Sequence, residues 1–154
     1  MRLTMASKMP CTKEFLWEQL ADTSTFRRVS APFMVFRSRD SGGFPHRWMA
    51  GNTYGLSMYL LGYIPLGRHE ITVLDVDREA RRLSTSERGQ LIREWRHTMQ
   101  VAEDARGDVV FRDELNVRSG LATPLIIAGA YFFFVYRHWR IKRLLRDGKL
   151  SADR

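Results

Sequence analysis

The sequence predicts an α+β domain in which an antiparallel sheet of about six to seven strands curls around one long helix. Three features lead there: two short helical segments after an opening strand, a middle made of consecutive alternating segments with tight turns, and an apolar run near the C-terminus, Leu121 to Tyr136. Consecutive strands with short connections usually pair with one another and run antiparallel. Such a sheet has one face to cover, and the C-terminal segment is the only element long and apolar enough to cover it.

The opening RLTMAS sets Leu3 and Met5 against polar neighbours, the period of a short strand, with Ala6 and Ser7 trailing off. Beyond Pro10, Thr12 is a good N-cap, and Phe15, Leu16, Trp17 and Leu20 fall at helical spacings. A second helical turn is expected from Ser24 to Arg28, capped by Thr23 or Ser24 and stopped by Pro32. Strand texture follows from Phe33 to Ser38, then a loop over Arg39 to Pro45. From Gly51 to Leu61, residues Tyr54, Leu56, Met58 and Leu60 share one face.

Gly62, Pro65 and Gly67 read as a turn, and His69, Ile71, Val73 and Asp75 open another alternating run. Further strands are expected over Arg82 to Glu87, Leu91 to Val101 and Val109 to Arg118, with turns around Gly89 and over Asp104 to Asp108. The last helix starts at Thr123 as N-cap with Pro124 in the first helical position. Its apolar part is shorter than the roughly 20 residues a bilayer span needs, and Arg137, His138 and Arg140 follow at once. The preferred reading is a helix whose first half is buried and whose second half is amphipathic and wet; a membrane span is the other.

A chain of 154 residues with 44% hydrophobic content suits one domain, expected over 1–149, with 150–154 as a loose tail. The N-terminal stretch has no apolar segment long enough for a secretory signal, which points to the cytoplasm. The single cysteine, Cys11, has no CxxC partner. Most of the net charge of +8 falls after Tyr136, where Asp147 and Asp153 are the only acids. A solvated helix face explains this patch; so does contact of Arg137, Arg140, Lys142, Arg143 and Arg146 with an anionic membrane surface. No nucleic-acid motif accompanies the charge. The four histidines, His46, His69, His97 and His138, lack HxH or HExxH spacing, and there is no GxSxG, Walker A or GxGxxG sequence. No metal or other cofactor is expected.

Alternation assigns faces, and the inward faces carry polar residues. Trp95, Met99 and Val101 bring Arg93 and His97 with them; Val109, Phe111, Leu115 and Val117 bring Asp113; Ile71 and Val73 bring His69. A buried carboxylate needs a partner, and His97 suits Asp113 if their strands are neighbours. Such a pair could tie the structure, orient a ligand, or work as acid and base. Tyr54, Met58, Trp95, Met99, Tyr131 and Phe132 are candidate core residues and equally candidate walls of a ligand cavity between sheet and helix.

The order of elements and several phrases resemble the helix-grip proteins of the SRPBCC superfamily, which includes START lipid-transfer domains, polyketide cyclases and aromatases, and plant pathogenesis-related ligand binders. The phrases are PCTKEFLWEQLAD (10–22), VSAPF (29–33), GNTYGLSMYLLGYIPLGRHEI (51–71), GQLIREWRHTMQV (89–101) with FRDELNV (111–117), and the helix from Thr123. The resemblance spans about Arg2 to Leu145 and looks like an uncharacterised bacterial branch. It implies a helix-grip fold with a hydrophobic cavity closed by loops near Gly62 to Gly67 and by the short helices. It also implies binding or transfer of a lipid, polyketide or aromatic molecule; the residues expected to hold it come from the inward faces and the helix, namely Tyr54, Met58, His69, Arg93, Trp95, His97, Met99, Asp113, Tyr131 and Phe132. A cyclase or aromatase-like enzyme using His97, Asp113 and Tyr54 is the second reading, and a membrane-surface module using the basic helix end is the third. Either a monomer or a homodimer is compatible with these readings.

Overall fold

The computed structural model describes residues 1–150. β1 (Arg2–Lys8) leads into α1 (Lys13–Ala21) and α2 (Thr23–Ser30), followed by β2 (Met34–Ser38), β3 (Thr53–Leu60), β4 (Ile64–Asp77), β5 (Arg82–Gly89), β6 (Glu94–Glu103) and β7 (Val109–Arg118). A short 3₁₀ turn (Gly120–Ala122) then feeds α3 (Thr123–Arg146). The strands form one antiparallel sheet in the order β1-β7-β6-β5-β4-β3-β2. Consecutive strands therefore neighbour one another from β2 to β7, and β1 closes on β7. This is the α+β helix-grip architecture, with α3 lying against the concave face.

The reasons are local. In β7, Val109, Phe111, Asp113, Leu115 and Val117 are buried while Arg112, Asn116 and Arg118 are exposed, which is the period of a strand with one covered face. Thr12 caps α1, its hydroxyl oxygen accepting from the Phe15 amide at 3.2 Å. α2 is longer than the sequence suggested because Asp22, rather than Thr23 or Ser24, is its cap: the Asp22 carboxylate accepts from the Ser24 amide at 2.8 Å.

Three other boundaries differ from expectation. β4 begins at Ile64, so Pro65 and Gly67 lie inside the strand and the turn shrinks to the residues between Leu60 and Ile64. The register shifts between Met58 and Tyr59, and this bulge accommodates a proline that cannot donate to the ladder. β6 begins at Glu94, because the Gly89 amide donates to the Ile92 carbonyl and holds the intervening residues as a turn. The α3 cap is Ala122, with Thr123 one residue inside; its hydroxyl accepts from the Ser119 amide and donates to the Gly120 carbonyl, both at 2.8 Å.

The largest correction concerns the two halves of α3. The apolar first half is not buried all round: Leu125 is 78% exposed and Phe132 63%. The basic second half is not uniformly wet, since Arg137, His138, Ile141 and Leu144 are buried. Helical phase explains both. Ala130, Phe133, Phe134, Arg137, His138, Ile141 and Leu144 recur every three or four residues and form one inward stripe. By length and composition α3 is apolar enough to cross a membrane; here its inward stripe packs on the sheet. Leu150, assigned to the tail from sequence, is buried in the core, and 151–154 lie outside the described residues.

The core has two parts. One contains Leu16, Trp17, Leu56, Val73, Met99, Val101, Phe111 and Ile141. The other contains Leu115, Val117, Ala130, Phe133 and Phe134, with Leu3, Met5 and Trp95 packed on it. A layer of polar side chains runs between them.

Candidate functional site

Each element contributes to that layer at the step between its two apolar neighbours. On β7 Asp113 falls between Phe111 and Leu115, on β6 His97 between Trp95 and Met99, on β1 Ser7 between Met5 and Met9, and on α3 Arg137 and His138 between Phe134 and Ile141. Asp113 is the centre, with 0% exposure. His97 Nε2 lies 2.7 Å from its Oδ1; His138 Nε2 and Arg137 Nη2 lie 2.8 and 2.5 Å from its Oδ2. A carboxylate accepts only, so both imidazoles donate from Nε2. The 3.4 Å approach of Arg137 Nη2 to His97 Nε2 is then a contact between two donors rather than a hydrogen bond. His138 Nδ1 is 2.8 Å from Ser7 Oγ, which completes the line.

Burial alone would raise the Asp113 pKa. The Arg137 charge, with His97 and His138, overrides it and holds the carboxyl well below the usual range. Aromatic faces pack around the donors: the His97 ring stacks on Phe134, the His138 ring on Phe111, and the Arg137 guanidinium sits 4.7 Å from the Phe134 centroid.

A second polar pair stands on β4 and β5. His69 Nε2 is 2.7 Å from Glu87 Oε2, and the Thr85 hydroxyl donates to Glu87 Oε1 at 2.7 Å. Burial pushes the Glu87 carboxyl up, and the His69 hydrogen bond and charge, with His97 and Thr85, bring it below its ordinary value. Gly89 lies opposite His69 in the register, and a Cβ there would stand 2.5 Å from the Arg68 carbonyl oxygen and 2.9 Å from His69 Nδ1. The glycine leaves the space that the imidazole occupies.

Between the sheet and the first half of α3 is a cavity of about 200 Å³. Its apolar wall includes Phe26, Met34, Phe36, Met58, Leu66, Ile126, Ala130, Phe133 and Phe134; its polar groups belong to His69, Glu87, Trp95, His97 and Arg137. Among the described residues, three nitrogens of this lining are buried without a protein partner: Trp95 Nε1, His69 Nδ1 and Arg137 Nε.

Of the residues singled out from sequence, Met58, His69, Trp95 and His97 line this cavity, and Asp113 lies beneath His97. Met99 borders a smaller void with Arg137. The others stand elsewhere. Tyr54 is buried against Trp48, and its hydroxyl accepts from the Met49 amide and Asn52 Nδ2, both at 3.4 Å. Arg93 is exposed in the turn before β6, where the strand alternation no longer applies. Tyr131 and Phe132 lie on the outward face of α3, because the inward stripe takes Ala130, Phe133 and Phe134 instead. Arg137, expected in a surface patch, is buried against Asp113.

Sequence reasoning missed Glu87, Thr85, Arg137, His138 and Ser7 as members of the site. Alternation from Leu83 would have turned Thr85 and Glu87 inward, and helical phase from Ala130 would have turned Arg137 and His138 inward. Among the described residues no group of three or more His, Cys, Asp or Glu side chains is arranged to hold a metal ion.

The sequence from residue 7 to 145 matches a family model described as "Domain of unknown function (DUF8410)". The chain belongs to this DUF8410 family. No curated protein matches it by sequence. Solved structures share the fold of this DUF8410 member. Protein Ms6760 from Mycobacterium smegmatis superposes with a TM-score of 0.73 at 14% identity, over 99% of this chain and 92% of that one. The ginseng major latex-like protein 151 from Panax ginseng gives 0.62 at 8% identity, over 93% and 95%. DynU16, from the dynemicin biosynthetic locus, gives 0.61 at 17% identity; the match covers 96% of this chain and 48% of that one. At these identities the likeness establishes the helix-grip fold.

Proposed function

We propose that this DUF8410 protein is a cytoplasmic binding domain for a small hydrophobic molecule, held between the sheet and α3. The observation that carries the reading is the cavity itself: an apolar chamber whose polar end is formed by His69, Glu87, Trp95, His97 and Arg137. Apolar walls with a few convergent polar groups are the ordinary make-up of a small-molecule site. The resemblance to SRPBCC proteins supports the same reading. The cavity is smaller than the roughly 300–1,000 Å³ of sites for drug-sized ligands, which favours a compact ligand over a long-chain lipid.

Native mass spectrometry of the purified protein, followed by denaturing extraction, tests this. An extra mass that leaves on denaturation, and that is absent from an Ala130→Phe variant of unchanged fold, supports it. A solvent-exchange measurement showing Ala130→Phe more stable, with no ligand ever recovered, would indicate a void that merely tolerates filling.

A second reading rests on the outer face of α3. Leu125, Phe132 and Trp139 are exposed there, and Arg143 and Arg146 are exposed one to two turns further on. An apolar strip with aromatic rings and a basic end is suited to the surface of an anionic bilayer. Sedimentation with phosphatidylserine-containing vesicles at low salt, lost at high salt, supports this reading. Equal sedimentation with neutral and anionic vesicles would remove the electrostatic part.

A further inference from the structure

We infer that the cavity takes a compact carboxylic acid in its ionised form, the carboxylate against Trp95 and Arg137 and the ring or short chain among the apolar walls. This rests on the cavity-binding reading and names its ligand class. The unpartnered groups decide it. Both oxygens of Glu87 are already engaged, by His69 and Thr85, and Asp113 beneath the cavity accepts from His97, His138 and Arg137. What remains free at the polar end is nitrogen: Trp95 Nε1, Arg137 Nε and His69 Nδ1.

An indole N–H and a guanidinium N–H donate and never accept. A buried donor without a partner is costly, on the order of 1–3 kcal/mol. The group that satisfies them has to be an acceptor, and a carboxylate offers two oxygens to two separate donors, with one donor charged.

Size narrows the class. At about 30 Å³ of liquid volume per water, the cavity of about 200 Å³ holds roughly seven water-sized groups. That suits a single-ring acid and excludes a long acyl chain from complete burial.

The experiment is isothermal titration calorimetry of the full chain with benzoate, benzamide and toluene, repeated with a Trp95→Phe variant. Benzoate is expected to bind at least tenfold more tightly than benzamide or toluene. Trp95→Phe is expected to weaken benzoate by about tenfold, the loss of one hydrogen bond to a charged group, and to leave toluene unchanged. An Arg137→Lys variant that folds should lose benzoate binding more than toluene binding. Toluene or benzamide binding as tightly as benzoate would overturn the carboxylate while leaving the cavity reading in place. Failure of all three to bind would overturn both.

Discussion

His97 and Asp113 meet diagonally across β6 and β7: the register pairs His97 with Leu115 and Asp113 with Met99, yet Nε2 and Oδ1 are 2.7 Å apart. The diagonal brings a ring from one strand over a carboxylate two residues along the other, where α3 can supply Arg137 and His138 to the same carboxylate. One acid thus ties two strands to the helix.

Asp113→Asn keeps the volume and removes the charge. Arg137 would remain buried without its counter-ion, and breaking such a pair costs about 3–5 kcal/mol. Urea unfolding at neutral pH should show that loss. A change below 1 kcal/mol would mean that Arg137 finds another partner or moves to solvent.

The same carboxylates set the acid limb of stability. Asp113 and Glu87 have folded-state pKa values below their ordinary ones. Their contribution is therefore fully present above the unfolded values of about 3.9 and 4.3, and is lost as pH falls through the lower folded values. Thermal melts should show a falling midpoint below about pH 4. Glu87→Gln should start from a lower midpoint at neutral pH and decline less steeply into acid. Curves that run parallel across the acid range would remove Glu87 from the account.

Much of this arrangement was legible as periodicity. The alternation of β7 places Asp113 inward between Phe111 and Leu115, and the structure has it there. The failures have physical causes. Composition divides α3 into apolar and basic halves, whereas its burial follows rotational phase, which carries a stripe from Ala130 through Arg137 to Leu144. Extending the β6 alternation backwards turns Arg93 inward, but Arg93 lies in a turn before the strand, where alternation has no force. Pro65 and Gly67 carry turn chemistry, but a bulge at Leu66, between them, lets β4 begin earlier. The cavity is a property of how α3, β2 and the sheet are spaced, and no local pattern encodes that distance.

Gly129 lies in the interior of α3 and lines the cavity, and a Cβ there would meet nothing within 4 Å. Its φ is in the ordinary helical region, since it is absent from the positive-φ glycines. Gly129→Ala should therefore stabilise the protein by about 0.5–1 kcal/mol through helix propensity. Thermal unfolding would show a higher midpoint; a lower one would mean that the helix needs the glycine for closer approach than this structure has.

Ser7, His138 and Asp113 form a hydrogen-bonded line of the residue types found in serine hydrolases, and their surroundings argue against that chemistry. His138 donates from Nε2 to Asp113, and its Nδ1 meets the Ser7 hydroxyl at 2.8 Å, so both ring nitrogens are engaged inside the protein. Neither Ser7 nor His138 lines the cavity, so no bound molecule there would reach the hydroxyl. The line instead joins edge strand β1 to α3, where it supplements the ladder to β7. Ser7→Ala should cost about 1 kcal/mol, the worth of one intramolecular hydrogen bond, and leave benzoate binding unchanged. A fluorophosphonate probe should label neither the native protein nor the variant. Labelling at Ser7 in the native protein would reverse this assignment and make the polar layer a site of chemistry.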